Sequence, residues 1–591
     1  MKEFFRTFLA VILAMIAMNV VAFFVFISVI VSLATFQSPK PVVQDNSVLT
    51  ITLKDEIVDQ STNNRYSVDW LSGGLTTDKN VGLREVTTAI HNAATDPKIK
   101  GISLELESAI PTALSLLEEV RTALEEFKSS GKFVYAYSNS GLSQKGYYVA
   151  SVADKVYLSP VANFDFKGLY YSVPFLKDFF DKFNIEMQVI RHGKYKSAVE
   201  PYISNKMSEA NREQISSFVN TMWNDILRPI SASRNISIED LNNYADELAV
   251  TTAKQAKKLN FIDDILYQDE YYAMLKEKVG VSSDQKLRQM ELQKYITAAT
   301  EEKSTDNDGH IAIVYANGTI IEGKSGQGSM GHETICEAIR DAREDKKVKA
   351  IVFRVNSPGG SALASEFILR EIQLTVKEKP VIVSMGTYAA SGGYYISCAA
   401  DHIFADPTTL TGSIGVFGMV PNFQKLLKND LKINIEGVQT NKNASYMTSV
   451  VEPMSPYQIT VIQNEIEDIY DTFITHVAKG RNMTKEQVDD IAQGRVWTGT
   501  EAINIGLVDK LGNLEDAIAF TAQKAGLNQY KIKEFPRQKE FFEELMENLS
   551  DMATVKVFKH SKISPLINAM EEAATMQGVQ ARLPFVLIEG D

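Results

Sequence analysis

The chain is written twice, and that fact limits its fold more than any other. The passage AASGGYYISCAADHIF at 389–404 is echoed by LSQKGYYVASVADKVY at 142–157. The echo extends both ways. LTITLKDEIVD (49–59) answers IAIVYANGTIIEG (311–323), KIKGISLELES (98–108) answers KVKAIVFRVNS (347–357), and GKFVYAYSNSG (131–141) answers EKPVIVSMGTY (378–388). AKKLNFIDDI (256–265) returns as AINIGLVDKL (502–511). Repeated elements in unchanged order mean two tandem units of one fold.

Within each unit, short apolar runs of the buried-strand kind alternate with amphipathic stretches such as 82–96, 112–132 and 335–345. Alternating strand and helix imply parallel β with crossover helices, an α/β fold. The expected organisation is a first unit over 45–294, a polar linker at 295–309, a second unit over 310–530 and a charged appendix at 531–591.

The first forty residues differ in kind. Residues 8–36 are apolar and carry no charge after Arg6. That length can cross a bilayer once and exceeds the apolar region of a cleaved signal peptide. Residues 1–40 are therefore read as a transmembrane anchor. Lys2 and Arg6 on its short side place the rest of the chain outside the cytoplasm. A net charge of -13 argues against a nucleic-acid partner. The two cysteines offer no disulfide framework, and the seven histidines form no HExxH or other metal-ligand cluster.

Three features mark the second unit as the one with chemistry. NSPGG (356–360) follows a buried strand, and Gly359 and Gly360 can turn bare backbone N–H groups toward an oxyanion. Ser391 follows the next strand among small neighbours. LTGSIGVFG (410–418) is a glycine-rich turn carrying Thr411 and Ser413. In the first unit these become ESAIP (107–111), Gln144 and a turn that keeps Gly168 without a serine. A serine nucleophile needs a base. His402 reads as a strand residue rather than that base. A desolvated lysine could serve, but spacing singles out no lysine.

NSPGG, AASGGYYISCAADHIFADP, LTGSIGVFG and GRVWTGTEAINIGLVD (494–509) resemble signal peptide peptidase A, a family of membrane-anchored serine proteases with a ClpP/crotonase-like fold. RHGKYKSAVEPY (191–202) resembles the lysine segment of its double-domain form. The resemblance implies two ClpP/crotonase-like domains after an N-terminal transmembrane helix, and a Ser-Lys dyad that needs no cofactor or metal. Ser391 would be the nucleophile and Lys196 the general base. Ser413 would orient the lysine, and Gly360 with Gly359 would form the oxyanion hole. Lys194 and Lys442 are the rival bases. The implied substrates are hydrophobic peptides, above all cleaved signal peptides. The implied assembly is a homotetramer, held to the membrane by residues 8–36 on the periplasmic side of a bacterial cytoplasmic membrane. Alternatives are the same chemistry on segments of membrane proteins, a CoA-thioester enzyme of the crotonase type, or a non-catalytic scaffold.

Overall fold

The computed structural model describes residues 41–61, 65–69, 74–78, 80–299, 308–326, 328–447, 450–537 and 579–583, with isolated positions between 4 and 21. The repeat is visible as two parallel sheets of the same strand order. In the first half the order is Asp264–Ile265, Lys155–Leu158, Phe133–Ser138, Ile99–Glu105, Ser47–Ile51, Gln289–Glu291. In the second the same order is Lys510–Leu511, His402–Ala405, Val381–Ala390, Val348–Ser357, Gly309–Asn317, Tyr530–Phe535, with Leu410–Gly412 also paired to the end of Val381–Ala390 and Val496–Thr498 antiparallel beyond it. The central strands are buried on both faces, which is why they read as unbroken apolar runs without alternation. Crossover helices connect them, among them Leu83–Thr95 and Leu114–Lys128 in one half, His332–Glu344 and Ala362–Thr375 in the other. Each half adds one long helix, Glu209–Arg234 or Pro456–Arg481, capped by a left-handed asparagine at 235 or 482.

The halves are not beads on a string. The first half's core takes in Ala390, Leu410 and Val496 from the second. Behind this contact Arg354 is fully buried, 2.7 Å from Asp59 and 2.6 Å from Glu119 of the first half. Glu119 also accepts the Leu514 N–H at 2.8 Å. Beside it, Glu118 accepts the Thr408 hydroxyl at 2.7 Å.

A third sheet crosses the halves: Glu186–Arg191, Phe417–Asn422, Val579–Arg582, Gly359–Ser361, Thr319–Ile321, Ser329–Gly331. Its first strand comes from the first half and its third from near the end of the chain. The stretch read as a linker begins inside a helix, Leu292–Ala299, and residues 300–307 lie outside the described set. The stretch read as an appendix contributes most of the edge strand Tyr530–Phe535 and the strand Val579–Arg582. Both cysteines are free and buried.

One expectation is corrected here. Among the described residues no helix is long and apolar enough to cross a membrane. The transmembrane helix is therefore withdrawn from the fold, and with it go the membrane-anchored character, the membrane contact through 8–36 and the single-pass periplasmic placement. Most of the run 8–36 itself lies outside the described residues.

Candidate active site

Strand Val381–Ala390 ends at Ser391, which caps the short helix Gly392–Ser397. Its backbone is strained, with φ 55° and ψ −113°. Few non-glycine residues adopt such a conformation, and it is held here by the Ser391 N–H donating to the Gly412 carbonyl at 2.8 Å. Strand Leu410–Gly412, paired parallel with the end of Val381–Ala390, runs into the turn that carries Ser413, also at positive φ.

Lys196 arrives from the first half. Strand Glu186–Arg191 pairs antiparallel with Phe417–Asn422, and the chain then turns through Gly193 into a short 3₁₀ segment, Ser197–Val199. This brings the Lys196 Nζ to 2.7 Å from Ser391 Oγ, 3.0 Å from the Ser413 carbonyl oxygen and 3.1 Å from Ser413 Oγ. All three side chains are fully buried. Burial pushes the Lys196 amine well below its ordinary range, and among the described residues no carboxylate contributes an opposing effect. An amine so placed is neutral where a surface lysine is charged, and its lone pair can accept the serine proton.

The lysine is clamped by a segment that no reading of composition or period would select. Gln493–Arg495 lies between the lysine loop and the Ser413 turn. Tyr195 N–H donates to the Gln493 carbonyl at 2.9 Å, Gly494 N–H to Ile414 at 2.7 Å, and Ser413 N–H to Arg495 at 2.6 Å. Gly494 has φ +84°, and a Cβ on it would stand 2.6 Å from Lys196 N. Gln214 ties the same loop down by donating to the Tyr195 carbonyl and Ser197 Oγ, while its own carbonyl oxygen accepts Val496 N–H. The only sign of this in the sequence is the glycine of GRVW, whose meaning is a close backbone approach.

The rival bases lie elsewhere. Lys194 is exposed, its ammonium 5.0 Å from the centre of the Tyr195 ring. Lys442 sits in an exposed stretch. His402 is a strand residue stacked on Phe520, with ring centroids 4.4 Å apart. In the first half Gln144 occupies the serine's place. Its carbonyl oxygen accepts the Lys167 and Gly168 N–H groups at 3.1 and 3.0 Å, so a structural clamp stands where a nucleophile would be.

The two glycines of NSPGG have different surroundings. Gly359 N–H donates to Ser357 Oγ at 3.1 Å, so it is already engaged. A Cβ on Gly359 would stand 2.8 Å from Gly392 N, and its absence is what lets the two segments meet. Gly360 belongs to the third sheet and faces the strand Val579–Arg582.

Because Lys196 and Ser391 meet within one chain, this dyad needs no second copy to complete it. The expected homotetramer gains no support from the site and is not retained.

The model of peptidase family S49 matches residues 126–282 and 373–528. Protease 4 of Haemophilus influenzae is 36% identical over 517 residues, 85% of this chain and 83% of that protein. The chloroplastic serine protease SPPA of Arabidopsis thaliana is 33% identical over 563 residues, 94% of this chain and 80% of that protein. Among solved structures, the ClpP1 N165D mutant from Listeria monocytogenes is 16% identical with a TM-score of 0.24, covering 35% of this chain and 94% of that one. The chain belongs to peptidase family S49 and is a serine protease of the Ser-Lys type.

Proposed function

We propose that this chain cleaves internal peptide bonds of extended polypeptides through an acyl-enzyme on Ser391, with Lys196 as the base. The carrying observation is the 2.7 Å approach of a fully buried amine, with no acidic partner among the described residues, to the serine hydroxyl. Neutral Lys196 takes the Ser391 proton as Oγ attacks the scissile carbonyl, then returns it to the departing amine. Ser413, through its hydroxyl and its carbonyl, holds the ammonium while it exists. The oxyanion falls to the Gly360 N–H, with the Gly392 N–H beside it at the start of its helix. Gly359 makes room rather than donating. A water molecule then attacks the ester, activated by the same lysine. In this reading residues 45–294 form the unit that supplies the lysine, and 310–530 the unit that supplies the serine.

Family membership sets aside the CoA-thioester enzyme and the non-catalytic scaffold. Among extended peptides, family membership favours signal peptides, since one relative, from Enterococcus faecium and 35% identical over 246 residues, is named as a signal peptide peptidase, SppA. Action on membrane-protein segments beside an anchor is withdrawn with the anchor. Ser391→Ala and Lys196→Ala, assayed on a fluorogenic peptide, should each lose at least about 10³-fold in kcat/KM. Near-native activity in K196A would defeat the cross-domain base, and activity in S391A would defeat the nucleophile.

A further inference from the structure

The first half touches the second at the reacting amine, and again behind the strand that leads into NSPGG. Strands Val348–Ser357 and Val381–Ala390 lie parallel, the first running into Gly359 and Gly360, the second into Ser391 and Gly392. The two N–H groups assigned to the oxyanion thus come from the ends of different strands. Just before those ends the register slips: Val355 pairs with Met385, but Ser357 pairs with Ala389. Asn356 alone stands opposite three residues, Gly386–Tyr388. This bulge sets how far Ser391 and Gly392 reach past the glycine turn.

A slip in a ladder leaves backbone groups for side chains to satisfy. Asn356 Oδ1 accepts the Tyr388 N–H at 3.1 Å, and the Thr409 hydroxyl donates to the Gly386 carbonyl at 2.8 Å. From the first half, Ser115 Oγ lies 2.9 Å from Thr387 Oγ1. The Asn356 amide is itself held by the first half. Its Nδ2 donates to one oxygen of buried Asp59 at 2.5 Å, and the other oxygen accepts Arg354 Nε at 2.7 Å. Asn356 must donate on one side and accept on the other, which neither a carboxylate nor an apolar side chain can do. In the half without a nucleophile the answering residue is Glu107, and it is exposed.

We propose that Asn356, fixed by Asp59, is a positioning residue for the oxyanion hole: it holds the Gly360 and Gly392 N–H groups, and Ser391 with them, at one spacing across the slip. The first half then supports the site twice, through Lys196 at the base and through Asp59 behind the oxyanion donors. This rests on the Ser391–Lys196 reading above.

The test is steady-state kinetics of full-length Asn356→Ala and Asp59→Asn on a fluorogenic peptide, with thermal unfolding in parallel. Inhibition by a peptide aldehyde is measured beside it, because the hemiacetal oxygen takes the oxyanion's place. N356A should lose about 10²-fold in kcat with KM within about threefold of wild type. Its affinity for the aldehyde should fall in step with kcat/KM. The pH midpoint of kcat/KM should not move, since the contact does not reach Lys196. D59N replaces one accepting oxygen by an NH₂ group; it should lose about tenfold in kcat and add less than about twofold to N356A. If N356A does not fold, D59N carries the same readouts. A folded variant with kcat within about threefold of wild type overturns this proposal alone, provided wild type is active and S391A and K196A are not. An inactive wild type, or an active S391A, overturns the catalytic reading instead. A fall in kcat with unchanged aldehyde affinity, a shifted pH midpoint, or additive losses in the double variant overturns the positioning role.

Discussion

Gly494→Ala is the sharpest test of how the dyad is held. Gly494 has φ +84°, where alanine costs about 1–2 kcal/mol. Its new Cβ would stand 2.6 Å from Lys196 N and 2.7 Å from both Cα and Cβ of Lys196. Ordinary contact begins near 3.4 Å, so one side must yield by about 0.7 Å. The atoms on the lysine side are mostly backbone, pinned by the Tyr195–Gln493 hydrogen bond, so rotating a side chain cannot relieve the clash. A displacement approaching 1 Å at a reacting group costs on the order of 10²-fold in rate. The close contacts of a Cβ on Gly494 are all with Lys196 and none with Gly359–Ser361 or Phe417–Gly418, so kcat should fall about 10²-fold while KM changes little. The assay is steady-state kinetics on a fluorogenic peptide, with thermal unfolding run in parallel to show the fold is kept. Because the glycine acts through the lysine, G494A in a K196A background should add almost nothing. A folded G494A enzyme with kcat within about threefold of wild type would refute the argument.

Three further outcomes are expected. The neutral Lys196 amine is the active form, so kcat/KM should rise with pH through its lowered pKa and level off well below the ordinary lysine value of 10.5; a rise only near that value would contradict a desolvated base. Arg354→Met leaves Asp59 and Glu119 buried without their cation and should cost about 3–5 kcal/mol in denaturant unfolding, with D59N and E119Q added to R354M recovering much of it. Burial, opposed by the Thr408 hydroxyl and reinforced by Asp225 and Glu119, pushes Glu118 up to about 8 from 4.5. The native state then holds a proton that the unfolded chain has lost, so stability should fall as pH rises through that window, and Glu118→Gln should flatten the slope.

The alternation of strand and helix in both halves was legible because buried parallel strands print themselves as apolar runs and the repeat supplied the inner ones twice. The order of the strands and the edge strands Gln289–Glu291 and Tyr530–Phe535 were not. Ser391 and the NSPGG turn could be found from their place at strand ends. Lys196 could not, because its partner lies 195 residues away and nothing in local spacing encodes a contact of that range. It came only from resemblance to a family pattern. The role of the Gln493–Arg495 clamp was hidden for another reason: GRVW stands out as a motif, but its work is done by main-chain groups, and a glycine letter does not say what approaches it. Val579–Leu583 has no period of its own, since VQARL becomes a strand by adding to edges that other segments present. The apolar run 8–36 shows the opposite hazard, a strong local pattern to which the described structure gives no spanning helix.

The division of the dyad also governs when the enzyme can exist at all. During synthesis the amine emerges first, the hydroxyl nearly two hundred residues later, and the clamping glycine some hundred residues after that. A nascent or broken chain carries the amine alone, the hydroxyl alone, or both without the segment that joins them. Hydrolytic power therefore arrives only once synthesis has passed Gly494 and the two halves have folded against each other.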